Sequence, residues 1–240
     1  MRPPALPDRA ALFLDFDGVL VEIAASPDAI QVPPALQDRL DRLHDRLDGA
    51  LALVSGRHVA DLRRYLPRFA GVIAGSHGAE MAHGDRVDLA SGAALDIAAI
   101  HAAAHHLAAA HGTILVEEKP LGVAMHYRAE PALAAFVDAA MRELEAQFPG
   151  TRLQPAKMAV ELQPEDAGKD GALGRLMSAA PFQGRVPVYV GDDLTDEPAM
   201  TAAQDRGGFA IKIGEGDSVA RYRLADPPAL ARWLDRALQQ

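Results

Sequence analysis

The chain of 240 residues is 49% hydrophobic, which is enough apolar material for a buried core, excludes an extended disordered chain, and predicts one large domain or two small ones. Its formal net charge of -9 at pH 7 argues against a nucleic-acid partner, because nucleic acids require a positive protein surface. Cysteine is absent, which excludes disulfides, zinc thiolates and thiol nucleophiles and suits a reducing compartment.

The N-terminal segment, MRPPALPDRAALFLDFDG, is interrupted by prolines and acidic residues, unlike a secretory signal. No uninterrupted apolar run reaches the roughly 18 residues that a membrane-spanning helix needs. We therefore expect a soluble cytoplasmic protein without a membrane partner. The sequence does not determine the oligomeric state, and a monomer is compatible with it.

The first part of the chain alternates short apolar strands with helices. Residues 11–16 (ALFLDF) predict a buried strand that ends in a DG turn, and residues 34–47 carry leucines at helical spacing after a proline. A second strand (ALALVSGR), a helix over 59–66 and a third apolar strand over 71–80 follow. This alternation is typical of a parallel sheet that is covered on both faces.

The same alternation returns near the C-terminus, with a helix at about 170–179, the strands RVPVYVGDD and GFAIKIG, a helix between them, and a terminal helix that contains Trp233. Residues 84–166 instead show an internal repeat, in which a helix (93–111 or 131–147) precedes two strands that open with GT. We predict a doubly wound α/β core with a parallel sheet, formed by 1–83 and 167–240, and an inserted α+β domain, 84–166. The alternative is one continuous domain with a chance GT match.

Acidic residues follow two of the predicted strands. Asp15 and Asp17 end the first strand, and the loop GDDLTDE places Asp192, Asp193 and Asp196 after a late strand. The carboxyl ends of parallel strands share one crevice, so these acids can converge there. Clustered carboxylates without His or Cys suit a hard cation such as Mg²⁺. Taken singly, DFDG is also compatible with an ordinary turn and GDDLTDE with a solvated helix cap.

Two further residues complete a candidate phosphate site. Ser55, in SGR directly after the second strand, offers a hydroxyl and backbone amides near a helix start. Lys169, in AGKDGAL before a helix, can bring a positive charge to the same crevice. A helix cap and a solvated surface lysine are the simpler alternatives for these two residues.

The order DFDG, SGR, lysine and GDDLTDE resembles the haloacid dehalogenase superfamily along the whole chain, and the insertion is similar to its C2 type of cap. AGSHGAE (74–80), the EEK and HYR stretch (117–128), AVELQP (159–164) and GDDLTDE look more specifically like the trehalose-6-phosphate phosphatase family. The resemblance implies Mg²⁺-dependent hydrolysis of a small sugar phosphate, trehalose 6-phosphate, to trehalose and phosphate in trehalose biosynthesis.

The resemblance also implies the roles of the acidic residues. Asp15 is expected to be the nucleophile that forms an aspartyl-phosphate, and Asp17 to protonate the leaving oxygen and then deprotonate water. The implied Mg²⁺ ligands are a carboxylate oxygen of Asp15, the backbone carbonyl of Asp17 and the carboxylate of Asp192. Asp193 and Asp196 are expected to act from behind these ligands.

The remaining expected site residues contact the substrate. Ser55 and Lys169 hold the phosphoryl group, with Lys169 offsetting its charge. Substrate contacts are further implied for residues of the core and of the inserted domain: Gly56, Arg57, His77, Gly78, Glu80, Glu117, Lys119, Arg128 and Glu161.

Two positions depart from the family's commonest pattern, and one histidine group suggests a different site. Val19 stands where threonine is more usual, and Asp170 follows Lys169 where glycine is common, which adds a negative charge beside the lysine. Histidines recur in the alanine-rich helix, but no HExxH-like acid accompanies them, so an exposed helix explains them better than a metal site. They are His101, His105, His106 and His111.

Two other functions remain open at this point. The first is a phosphatase for another sugar phosphate with the same cap type, such as sucrose phosphate or mannosyl-phosphoglycerate. The second is a non-catalytic phospho-sugar binder or regulator, which is less favoured because binding alone does not require both Asp15 and Asp17.

Overall fold

The computed structural model describes residues 1–23, 29–89, 95–119, 121–156, 158–165 and 167–239. The chain divides into two compact units, one formed by Met1–Asp88 with Gly168–Gln240 and the other by Leu89–Ala167. The inserted domain predicted from the sequence spans 84–166, and its last residue, Asp166, lies outside the described residues.

The first chain segment alternates strands with helices, and the predicted first strand and first helix are confirmed. Its elements are β1 (Ala10–Leu14), α1 (Leu36–Arg46), β2 (Leu51–Val54), α2 (Val59–Tyr65), β3 (Val72–Gly75), β4 (Glu80–His83) and β5 (Arg86–Leu89). Leu36, Leu40 and Leu43 form the buried face of α1, because they recur at helical spacing. Strands β1 and β2 are buried along their whole length, as a sheet covered on both faces requires.

The prediction of a single strand over 71–80 is wrong. Strand β3 ends at Gly75, a short 3-10 turn follows at Ser76–Gly78, and β4 returns antiparallel to β3. The break occurs because Ser76 and His77 adopt positive φ angles of 49° and 55°, which a strand cannot contain.

The second unit contains the predicted pair of helix-strand-strand repeats. Its elements are α3 (Ile97–Ala108), β6 (Leu115–Lys119), β7 (Gly122–His126), α4 (Ala134–Gln147), β8 (Thr151–Ala156) and β9 (Ala159–Pro164). Residues 93 and 94, at the start of the predicted first helix, lie outside the described residues. Within the described part of this unit, four strands form an antiparallel sheet in the order β6-β7-β9-β8, so one strand from each repeat meets at the centre.

The last chain segment completes the sheet of the first unit. Its elements are α5 (Lys169–Met177), β10 (Val186–Gly191), α6 (Glu197–Asp205), β11 (Phe209–Ile213), β12 (Tyr222–Leu224) and α7 (Pro227–Ala237). Across the described residues, eight strands pair in the order β12-β11-β10-β1-β2-β3-β4-β5, with parallel pairing from β12 to β3. The predicted α/β class with a parallel sheet is therefore confirmed.

The position of β1 in this sheet decides where the acidic residues lie. Leu14 of β1 is in register with Val190 of β10 on one side and with Leu53 of β2 on the other. The carboxyl ends of the three strands therefore lie side by side, and the residues that follow them share one edge of the sheet. Among the described helices, none combines the length and apolar character that crossing a membrane requires.

Candidate active site

The loops that follow β1, β2 and β10, together with the first residue of α5, build one site in the first unit. Asp15 follows β1, Ser55 follows β2 and Asp192 follows β10, while Lys169 begins α5. The aligned carboxyl ends of the strands thus place Asp15, Ser55 and Asp192 at one edge of the sheet, and Lys169 lies beside Asp15.

The centre of the site is a buried cation between two carboxylates. Nζ of Lys169 lies 2.9 Å from Oδ2 of Asp15 and 2.7 Å from Oδ1 of Asp196. Asp15 and Lys169 are 5% and 4% exposed, and Asp196 is completely buried. Charges are this deeply buried only when they are paired, so the three side chains form one interdependent group.

Asp196 also accepts hydrogen bonds from the loop around it. Oδ1 accepts the hydroxyl of Tyr189 at 2.7 Å, and Oδ2 accepts the backbone N–H groups of Asp192 and Asp193, both at 3.1 Å. Burial and the neighbouring Asp196 raise the pKa of Tyr189, so its hydroxyl stays protonated and donates. Asp196 therefore fixes the Asp192 loop and the Lys169 ammonium at the same time.

The electrostatics of the site favour a bound cation. Burial raises the pKa of Asp15 to about 8, against the opposing effect of the Lys169 ammonium. Burial also raises the pKa of Asp192 to about 6, and Asp196 adds to this shift. Burial lowers the pKa of Lys169, but the carboxylates of Asp15 and Asp196 outweigh it and raise that pKa overall. Two nearby ammonium groups, those of Lys169 and Lys212, face three carboxylates, so full deprotonation of these acids leaves excess negative charge at the site.

Within the described residues, Asp15, Asp192 and Asp196 form the group whose ligand atoms all lie within 4.8 Å of one another. Such an all-oxygen donor set fits a hard divalent cation. Asp196 already accepts hydrogen bonds from Lys169, Tyr189 and two backbone N–H groups. Asp15 and Asp192 are therefore the better placed of the three to coordinate an ion, while Asp193 is exposed and accepts the N–H of Leu194.

The glycine of DFDG permits the close approach of the two acidic loops. Gly18 has a φ of +69°, and a Cβ at this position would collide with the carboxylate of Asp192. Only glycine satisfies both conditions without displacing Asp192. The neighbouring Val19, one of the departures from the commonest pattern, is completely buried in the hydrophobic core.

Asp17 forms a salt bridge that the sequence analysis did not predict. Nε and Nη2 of Arg57 donate to the two carboxylate oxygens of Asp17 at 2.6 and 2.8 Å. The guanidinium of Arg57 therefore holds Asp17 in this structure, and its expected contact with the substrate stays a prediction.

The SGR loop after β2 is tied to the turn at Ser76–Gly78. The backbone N–H of Ser76 donates to the carbonyl of Arg57 at 2.7 Å, and that of His77 donates to the carbonyl of Ser55 at 2.9 Å. The ring of His77 packs so closely on Gly56 that a Cβ there would lie 2.7 Å from it. The left-handed conformations of Ser76 and His77 cost energy, and these contacts with the SGR loop maintain them.

Glu80 fixes the start of α2. Its carboxylate accepts the backbone N–H of Val59 at 2.8 Å and lies 3.0 Å from Nδ1 of His58. Burial raises the pKa of Glu80, but these hydrogen bonds outweigh burial and lower it overall. Glu80 thus holds the end of the SGR loop in place, and Gly78 is buried in the turn between β3 and β4.

In the second unit, the predicted sugar contacts share one face of the small sheet. Glu117 and Glu161 both lie in register with Ala124 of β7, and Lys119 is two residues further along β6. Nζ of Lys119 donates to Glu161 at 2.9 Å, and His126 lies 2.8 Å from Glu117. The alternate residues of β7 and β9 pack into the hydrophobic core, so these polar groups occupy the opposite face of the sheet.

The other residues singled out from the sequence lie outside this polar face. Arg128 follows β7 and is exposed. Nε2 of His101 contacts the backbone carbonyls of Lys119 and Gly122, and His105 contacts Glu118 at 3.0 Å. In the first unit, Asp170 lies in the first turn of α5, where the helix dipole favours a carboxylate.

Two residues of the site were missed from the sequence. Tyr189 lies in β10, and Lys212 lies in β11 opposite Gly191. The ammonium group of Lys212, which is 6% exposed, donates to the backbone carbonyl of Asp192. A lysine inside the apolar strand FAIKI is a signal that could have been used, because a buried ammonium needs a polar partner.

The sequence and the fold both match known proteins. The family model for trehalose-phosphatase matches residues 13–228. The chain is 36% identical over 244 residues to a trehalose-6-phosphate phosphatase of Escherichia coli, which covers 99% of this chain and 91% of that protein. It is 38% identical over 209 residues to a probable trehalose-phosphate phosphatase of Sinorhizobium fredii, with 86% and 78% covered.

Among solved structures, an Aspergillus fumigatus trehalose-6-phosphate phosphatase is similar with a TM-score of 0.80. The match covers 97% of this chain and 93% of that chain at 20% sequence identity. At 20% identity this structural similarity supports the fold alone. The family is shown by the family model and by the two sequence relatives.

Proposed function

This chain belongs to the trehalose-phosphatase family, and we propose that it hydrolyses trehalose 6-phosphate to trehalose and inorganic phosphate. The observation that carries the proposal is the position of Asp15. Its carboxylate is buried 2.9 Å from the Lys169 ammonium and shares the candidate cation site with Asp192. A nucleophile for phosphoryl transfer requires this combination of a fixed carboxylate and nearby positive charge.

We propose Mg²⁺ as the cation, because the donor set consists of oxygen atoms. Asp15 and Asp192 would hold the ion through their carboxylates, and Asp17 through its backbone carbonyl. The chemistry that bound Mg²⁺ supplies is charge neutralisation between carboxylate and phosphate. Without it, two unit charges at 4 Å repel by about 4 kcal/mol at an effective dielectric constant of about 20.

The reaction then proceeds through the chain's own residues. A carboxylate oxygen of Asp15 attacks phosphorus, the bond from phosphorus to the sugar oxygen breaks, and Asp17 gives that oxygen a proton. Water next attacks the aspartyl-phosphate, Asp17 takes its proton, and phosphate leaves with Asp15 restored. Lys169 and the Ser55 hydroxyl hold the phosphoryl oxygens throughout.

The sugar is recognised, in this proposal, by the polar face of the second unit. Glu117, Lys119 and Glu161 lie on one face and present carboxylate acceptors and an ammonium donor. Such groups can exchange their mutual hydrogen bonds for bonds to sugar hydroxyls. Selectivity by hydroxyl recognition is strong, because a substrate that lacks a hydroxyl leaves a buried polar group unpaired.

The proposal is tested by measuring phosphate release from a panel of sugar phosphates with Mg²⁺ supplied. The panel contains trehalose 6-phosphate, sucrose 6-phosphate, mannosyl-phosphoglycerate and glucose 6-phosphate. We expect turnover of trehalose 6-phosphate, abolished in Asp15→Asn and retained in the control Asp205→Asn, which changes an exposed acid at the end of α6. If the protein releases phosphate from another member but not from trehalose 6-phosphate, the proposed substrate is wrong. If it releases phosphate from no member, the proposed catalytic role is wrong.

A further inference from the structure

The salt bridge between Arg57 and Asp17 joins two loops of the site. The residues are 40 positions apart, and each of the two guanidinium donors has its own carboxylate oxygen, at 2.6 and 2.8 Å. This paired geometry fixes both the position and the plane of the carboxylate. A lysine in place of Arg57 would supply the charge without that orientation.

The guanidinium of Arg57 is itself held by two aromatic rings. Its central carbon lies 5.7 Å from the ring centre of Phe16 and 5.4 Å from that of Tyr65, and the two rings are stacked 6.0 Å apart. The side chain of Arg57 is 12% exposed, whereas that of Asp17 is 37% exposed. The arginine is therefore the fixed partner and the aspartate the more accessible one.

The backbone of Arg57 is fixed as well. Its N–H donates to the hydroxyl of Ser55 at 3.2 Å, and its carbonyl accepts the N–H of Ser76 at 2.7 Å. Phe16, one of the rings on the guanidinium, donates its own N–H to Asp15 at 2.7 Å. Arg57 is thus hydrogen-bonded to Ser55 and packs on Phe16, the residue that follows Asp15.

We propose that Arg57 is a positioning residue for Asp17, holding its carboxylate in the orientation from which it exchanges a proton with the leaving oxygen. The inference rests on the proposed phosphatase function. Each carboxylate oxygen accepts one N–H from Arg57 and keeps a second lone pair, so the pairing leaves Asp17 able to take part in proton transfer. The hydrogen bond to Asp17 also raises the pKa of Arg57, which stays charged throughout.

The competing role for Arg57 is direct binding of the substrate phosphate. Nε and Nη2 of Arg57 are bonded to Asp17, so a substrate phosphate would either meet the N–H groups outside this pair or displace Asp17. The two roles predict different dependence on the leaving group. A sugar alkoxide needs a proton as it departs, whereas p-nitrophenolate departs without one.

The test compares kcat/KM for trehalose 6-phosphate and for p-nitrophenyl phosphate, because this parameter reports the steps up to departure of the alcohol. In Arg57→Met we expect kcat/KM for the sugar phosphate to fall by about 10- to 100-fold, within the range that general acid catalysis contributes. The value for p-nitrophenyl phosphate should change by less than about 3-fold. Equal losses on both substrates would overturn the proposal in favour of phosphate binding.

A double-mutant cycle tests whether Arg57 acts through Asp17. In an Asp17→Asn background, Arg57→Met should cause no further loss on the sugar phosphate, because the group that it positions is gone. Multiplicative losses would overturn the proposal. Arg57→Lys should recover only part of the wild-type value, and full recovery would show that charge suffices and the paired geometry does not matter.

Arg64→Met is the matched control, since Arg64 lies next to Tyr65 in α2, and its guanidinium carbon is 5.3 Å from the Tyr65 ring centre. It should leave both kcat/KM values unchanged, and thermal unfolding should show that every variant is folded. Failure of the proposed function appears separately, as a wild-type protein that releases no phosphate from trehalose 6-phosphate.

Discussion

The ammonium group of Lys169 is bound by Asp196, which accepts its hydrogen bond at 2.7 Å from a completely buried position. Asp196 lies behind Lys169 and holds this cation 2.9 Å from the candidate nucleophile, Asp15. The position of the charge at the site therefore depends on a carboxylate whose own oxygens are occupied by protein donors.

Replacing Asp196 with asparagine should destabilise the protein. Each carboxylate oxygen of Asp196 accepts two donors, so the amide group of asparagine would face N–H or O–H donors in either orientation. Breaking a buried ion pair on one side costs about 3–5 kcal/mol. Urea unfolding measures the loss, with Asp205→Asn as the exposed control, and equal stability of the two variants would contradict the prediction.

Removing the hydroxyl of Tyr189 should have a smaller effect of the same kind. Tyr189→Phe keeps the ring in the core but removes one donor from Asp196, while Lys169 remains in place. A hydrogen bond to a charged group contributes about 1.5–3 kcal/mol. Urea unfolding should show a loss of this order and phosphate release should fall, whereas the control Tyr222→Phe should match the wild-type protein in both measurements.

The metal-free protein should lose stability at this site as the pH rises. The pKa of Asp192 is raised to about 6 and that of Asp15 to about 8, both from an ordinary value of 3.8. The folded state thus binds these protons more tightly than the unfolded state. The resulting stabilisation is complete below pH 3.8 and is lost as the pH rises through about 6 and then about 8.

Urea unfolding in EDTA, repeated across this pH range, measures that loss. Asp15→Asn and Asp192→Asn should each flatten the decline relative to the wild-type protein, since the amide does not titrate. Added Mg²⁺ should stabilise the wild-type protein more at pH 8 than at pH 5, because the cation binds the deprotonated carboxylates. A pH dependence shared unchanged by both variants would refute the assignment.

Replacing Lys212 with methionine should weaken cation binding without leaving a cavity in the core. Lys212→Met keeps the apolar stem of the side chain but removes the donor to the carbonyl of Asp192, so the loop that carries this ligand loses a fixed point. Partners behind metal ligands typically change affinity by about 10- to 100-fold. Calorimetric titration with Mg²⁺ measures the change, and Ile211→Met, at a buried neighbour in β11, controls for repacking.

The sequence was sufficient for the features that depend on local patterns. Apolar strands alternating with helices predicted the parallel sheet, and the four motifs placed Asp15, Ser55, Lys169 and Asp192 at neighbouring strand ends and a helix start. The turn at Ser76 and His77 was missed because neither residue signals a left-handed backbone, and only the contacts with the SGR loop impose one. The assigned catalytic roles stay predictions.

The contacts between distant residues could not be read from the sequence. Lys212 meets the carbonyl of Asp192 because β11 pairs with β10 in one particular register, and the sequence does not specify that register. Arg57 meets Asp17 because β1 and β2 are adjacent, a fact that the helix between them conceals. For Lys212 the sequence shows a charged side chain inside an apolar strand, but it does not show the partner.

The two neighbours of β1 are made at very different times during synthesis of the chain. Strand β2 follows β1 closely, but β10 emerges from the ribosome only after the whole of the Leu89–Ala167 unit. Until then, one edge of the apolar strand β1 has unpaired backbone N–H and C=O groups, and such an edge promotes aggregation. The Leu89–Ala167 unit, being continuous, can complete its own sheet on the growing chain, whereas Asp15 obtains Lys169 and Asp196 last. We therefore expect the growing chain to need chaperones most between the synthesis of β1 and the synthesis of β10.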